Sequence, residues 1–68
     1  MNGHRLMLVS YVGERDGMAL ELADEAGEPL AEVFEDDATK ERTVEFFATS
    51  PLPLAEVRWL LDEAERRL

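Results

Sequence analysis

The apolar positions of this chain change period once, near residue 50. Before that point large apolar side chains alternate with smaller or polar ones in short runs. From residue 53 onward they recur three and four positions apart. Alternation is the signature of a strand whose side chains point to opposite faces, and a spacing of three to four is that of one helix face. The pattern therefore predicts a series of strands followed by a single helix.

The first predicted strand covers residues 5–12, with Leu6, Leu8 and Val12 on one face and Met7, Val9 and Tyr11 on the other. Apolar bulk on both faces predicts a strand covered on both. Residues 13–17 read as a hairpin loop, closed by an Asp16-Gly17 pair that tolerates positive φ. Residues 18–23 set Met18, Leu20 and Leu22 against Ala19, Glu21 and Ala23, and residues 24–29 form the next turn around Gly27 and Pro29. In residues 30–35 both alternating sets hold apolar side chains, so the core face stays open: Leu30, Glu32 and Phe34 oppose Ala31, Val33 and Glu35. After a polar loop at residues 36–41, residues 42–49 form a fourth strand, with Val44, Phe46 and Ala48 opposite Thr43, Glu45, Phe47 and Thr49. Phe34 and Phe46 are the expected core aromatics.

Ser50-Pro51-Leu52-Pro53 ends the sheet, because residues before proline avoid the helical region. Pro53 suits the first helical position, where a missing N–H costs nothing, with Ser50 as N-cap before Pro51 the alternative start. Leu54, Val57, Leu60, Leu61, Ala64 and Leu68 fill a helical stripe about 120° wide. Arg66 and Arg67 complement the negative helix end, and Glu63 can pair with Arg67 one turn on. Trp59, the only tryptophan, falls roughly opposite the middle of that stripe and implies a second apolar surface. Short connections make the strands an antiparallel meander. The expected fold is α+β: a four-stranded antiparallel β-meander followed by one C-terminal amphipathic helix on one sheet face (ββββα). Residues 1–68 form a single domain, of which 1–4 are expected to be a flexible tail.

A chain of 68 residues supports one small core, and such domains commonly gain stability from disulfides, a metal or a partner subunit. The absence of cysteine removes the disulfide and thiolate-metal routes, leaving a partner subunit. Sixteen acidic against seven basic residues give a net charge of −9. That field disfavours nucleic acid and anionic membranes and favours a basic partner. No signal core or span-length apolar run is visible, which points to the cytoplasm. Six arginines to one lysine point to a GC-rich, bacterial genome.

The chain offers little catalytic chemistry. His4 is the lone histidine, so a zinc site would need carboxylates for most of its ligands. The acidic runs at residues 24–28 and 35–37 lack the ligand spacing of a calcium loop and read as turn chemistry. Ser10 and Ser50 have no nucleophile-elbow context, and the glycines form no phosphate-binding pattern. No catalytic residue, metal ligand or cofactor is expected. The candidate interface residues are instead Trp59 together with Phe47, Tyr11, Met7 and Val9. Phe46 and Phe47 must point to opposite faces; if Phe46 joins the core, Phe47 lies on the open face with the other three.

This reading gives a small acidic, non-catalytic protein-interaction module that forms a homodimer and serves a basic protein client. A different class is also open. The ββββα order resembles, in architecture alone, the PC4-like fold of dimeric transcriptional coactivators. That resemblance implies single-stranded nucleic-acid binding, with Tyr11 or Phe47 stacking on bases; the basic groove such binding expects is missing, and Arg5, Arg15, Lys40 and Arg42 would have to converge against the acidic field.

Overall fold

The computed structural model describes residues 3–68, and residues 1 and 2 of the expected tail lie outside them. The chain forms β1 (Arg5–Tyr11), β2 (Gly17–Ala23), β3 (Pro29–Asp36), β4 (Arg42–Phe46) and α1 (Leu54–Arg67). The strands form one antiparallel sheet in the order β1-β2-β3-β4, and α1 packs on its two central strands. The ββββα layout expected from the period change is the observed one.

Register defines the faces. Leu6, Leu8 and Ser10 of β1 stand opposite Leu22, Leu20 and Met18 of β2. Leu20 and Leu22 stand in turn opposite Val33 and Ala31 of β3, which face Val44 and Phe46 of β4. The core lies on this face: Leu20, Leu22, Ala31 and Val33 meet Leu60 and Ala64 of α1, with Leu6, Leu30, Leu52, Trp59 and Leu68 packed around them. The ambiguous face of β3 is thus resolved in favour of Ala31 and Val33.

The helix sits differently from its apolar stripe. Its buried residues are Glu56, Leu60 and Ala64, while Leu61 is 43% exposed and Leu54 is exposed. Relative to the stripe, α1 is rolled by about 60° around its axis. Trp59, expected on the far side, is drawn half-buried against the core. The exchange is favourable because an indole buries more apolar area than a leucine side chain. Ala64, a small residue on the contact line, brings the helix close to the sheet. Leu61 is therefore not a core residue, and Trp59 does not oppose the buried side.

Because one helix covers only the two central strands, the edges are left open. β1, expected to be covered on both faces, exposes Leu8 and Met7. Phe46, expected in the core, is 54% exposed on β4. Phe34 is buried, but on the sheet face away from α1.

Local chemistry accounts for the turns. Asp24 Oδ1 accepts the backbone N–H groups of Ala26 and Glu28, each at 2.9 Å, and Gly27 takes φ +86°. Asp36 Oδ1 accepts those of Ala38 at 2.8 Å and Thr39 at 3.0 Å. These bonds hold the Asp36 carboxyl below its ordinary pKa, the Thr39 N–H contributing most. Both acidic runs thus spend an aspartate on turn geometry.

Gly17 lies inside β2 and not in the loop, and positive φ is not what it supplies. A Cβ there would come within 2.1 Å of the Glu35 carbonyl oxygen and 2.8 Å of the Phe34 ring. β4 stops at Phe46 because the N–H groups of Phe47 and Ala48 both turn to the Leu30 carbonyl, at 2.9 and 3.1 Å. Pro53 is the N-cap with extended ψ of 134°, and Leu54 opens the helix. Glu63 pairs with Arg66 at 2.6 Å, three residues on, in place of Arg67.

Candidate functional site

The sheet face away from α1 carries Met7, Val9 and Tyr11 of β1, Ala19 and Glu21 of β2, Glu32 and Phe34 of β3, and Thr43 and Glu45 of β4. It is not bare. The β1–β2 loop folds Arg15 over it, and the guanidinium carbon lies 4.2 Å from the Tyr11 ring centroid and 4.3 Å from that of Phe34. The two rings meet edge-on, 6.1 Å apart at 72°.

Arg15 Nη2 donates to Glu32 Oε1 at 2.7 Å, and the Tyr11 hydroxyl donates to Glu32 Oε2 at 3.4 Å. Glu32 is only 2% exposed, and these two donors satisfy the oxygens of its buried carboxyl. The same bond to Glu32 holds the Arg15 pKa above its ordinary value. The loop itself is set by the Gly13 N–H on Asp16 Oδ1 at 2.8 Å and the Asp37 N–H on the Asp16 carbonyl at 3.0 Å. A cation laid over two rings and paired with Glu32 beneath it is a structural clamp. It also occupies the Tyr11 surface on which a base would stack.

The four cations named for a nucleic-acid groove do not converge. Arg15 lies on the open face with Glu32, whereas Arg42 lies on the helix side of β4 and pairs with Glu35 at 2.8 Å. Arg5 begins β1, beside Gly27, and Lys40 occupies the β3–β4 turn at the other end of the sheet.

His4, read as part of a flexible tail, is half-buried and bonded through Nδ1 to Glu56 Oε1. That pairing explains a buried glutamate on α1, which the sequence pattern placed outside the stripe. Among the described residues, no three His, Asp or Glu side chains gather as a metal-holding group. No helix among them is long and apolar enough to cross a membrane.

Of the five candidate interface residues, the structure brings four toward one edge. Met7, Val9 and Tyr11 share the open face of β1, with Tyr11 engaged by the clamp. Trp59 lies on the helix flank turned toward the same edge. One residue on either side of Leu60 rotates by about 100°, and Leu61, on the opposite side, lines a groove with β4. Phe47 follows β4 at the far edge.

Among the described residues both sheet edges are unpaired, but they differ. β4 has five residues and carries Arg42 and Glu45. β1 has seven residues, exposes Leu8 at 45% and Met7 at 36%, and holds a single charge, Arg5, at its start. It contains none of the prolines, internal charges or bulges that ordinarily discourage edge-to-edge pairing.

No family model, curated protein or solved structure matches the chain.

Proposed function

We propose that this chain is a small, acidic, non-catalytic protein-interaction module that works as a homodimer joined through β1. The observation that carries the reading is the unblunted β1 edge, with Leu8 and Met7 exposed on its opposite faces. Two copies of β1 paired antiparallel about Leu8 set Leu8 on Leu8, Met7 on Val9, Leu6 on Ser10 and Arg5 on Tyr11. No like charges oppose one another in that register, and the contact is self-complementary, as a two-fold interface requires. The joined sheet would have eight strands and would bury the one long apolar edge of each copy. The acidic exterior, at −9 per chain, is then left for a basic client.

Light scattering on a sizing column, over a range of concentrations, tests the reading. The wild-type chain is expected at twice its chain mass. Leu8→Lys, at an exposed edge position, is expected at the monomer mass with an unchanged circular dichroism spectrum. A monomer at every concentration would refute the homodimer.

A further inference from the structure

The opposite edge of the sheet carries a second surface with its own chemistry. Among the described residues β4 pairs only with β3, so its outer backbone N–H and C=O groups face solvent. On the helix side of β4, Val44 and Phe46 are exposed beside a groove of about 520 Å³. Val33 and Val44 form one wall and Leu61 the other, with Asp62 and Glu65 among the helix residues lining it. The roll of α1 creates this groove by turning Leu61 and Leu54 away from the core.

The other face of the same strand supplies the sign. Glu45 stands in register with Glu32, which stands in register with Glu21, giving three glutamates side by side across adjacent strands. Like charges directly opposed on neighbouring strands are destabilising. Arg15 offsets the middle one, while Glu45, at the outer end, has no ion-pair partner among the described residues. Arg42 does not supply one, because it is committed to Glu35 on the opposite face.

We propose that β4 takes up an extended segment of a partner protein as a fifth strand, and that this segment alternates apolar and basic residues. The proposal rests on the interaction-module reading but not on the β1 contact. A strand added about 4.8 Å from β4 is held by main-chain hydrogen bonds, and its side chains are selected by the two faces. Those on the helix side lie against Val44, Phe46 and Leu61 and must be apolar. The one opposite Glu45 continues the glutamate row. A lysine or arginine there relieves the row, and an acidic residue lengthens it. A second copy of this chain fits less well: paired antiparallel about Val44, it sets a threonine against Glu45 and brings two acidic helix rims together.

The test is fluorescence anisotropy with a labelled heptapeptide, Lys-Val-Lys-Val-Lys-Val-Lys, on protein whose mass is measured in parallel by light scattering. Two control peptides replace lysine by glutamate or keep the composition and destroy the alternation. Saturable binding is expected for the alternating basic peptide, weakening as salt is raised. Leu61→Asp and Glu45→Lys, both at exposed positions, should each weaken it by at least roughly tenfold. Leu8→Lys should leave it unchanged even as the dimer dissociates, which separates failure of this proposal from failure of the β1 contact. Equal binding of either control peptide, no binding at millimolar peptide, or indifference to Leu61→Asp in a folded variant would overturn the proposal. A change of assembly mass on Leu61→Asp would also overturn it, by assigning the groove to a second copy.

Discussion

Replacing Arg15 with methionine isolates what its charge contributes. Methionine keeps most of the stem that covers the open face and removes the guanidinium from over Tyr11 and Phe34. Glu32, 2% exposed, would then keep only the Tyr11 hydroxyl at 3.4 Å. Leaving a buried acceptor short of a donor costs about 1–3 kcal/mol. Each cation–ring contact at a partly exposed site adds about 0.5–1 kcal/mol. The Arg15 side chain is itself 40% exposed, so water can replace part of the lost bond and the lower half of the range applies.

A loss of about 2–3 kcal/mol is expected. That is a large share of the ~3–5 kcal/mol a core of this size supplies, and lowers the melting temperature by roughly 10–20 °C. Urea denaturation followed by circular dichroism measures the loss, and a double-mutant cycle with Glu32→Gln assigns it. In the Glu32→Gln background Arg15→Met should cost about 1–2 kcal/mol less, because no orphaned charge remains. A loss below about 0.5 kcal/mol in the single variant, or no coupling in the cycle, would show that Arg15 merely lies on the surface.

Four further outcomes are expected from the same geometry. Leu60→Ala should cost about 2–5 kcal/mol and Leu61→Ala less than about 1 kcal/mol; the reverse order in chemical denaturation would contradict the observed roll of α1. Gly17→Ala should cost at least about 2 kcal/mol, since its methyl group would meet the Glu35 carbonyl, and an unchanged melting temperature would refute that close approach. Lys40, at φ 63°, is the one non-glycine residue with positive φ among those described, and Lys40→Gly should stabilise the fold by about 0.5–1 kcal/mol on thermal melting. Asp36 has a lowered pKa in the folded chain, so its contribution is full above the ordinary aspartate value and is lost as pH falls through the folded value. The difference in melting temperature between wild type and Asp36→Asn should therefore narrow below about pH 4, and a constant gap would remove the carboxylate charge from the argument.

The element order was legible in the sequence because it depends on side-chain period, which is local. Alternation through β2, the Asp24 and Asp36 turns and the spacing of apolar residues in α1 each act within a few residues. Proline and backbone geometry set where the sheet yields to the helix, to within one residue at Pro53. What tertiary structure decided was which apolar residues the core could use. One helix covers two strands, so Phe46, Leu8 and Met7 remain outside although their alternation matches that of buried residues. The roll of α1 depended on Ala64 and Trp59 competing with Leu61 for the sheet, a contest between areas that spacing alone cannot rank. Neither the His4–Glu56 pair nor the Arg15 clamp had a sequence signature, since each joins residues far apart in the chain whose proximity only the folded register creates. The sequence by itself determined the elements, their order and the acidic field; packing determined which face closed, which edges stayed open and where the charges found partners.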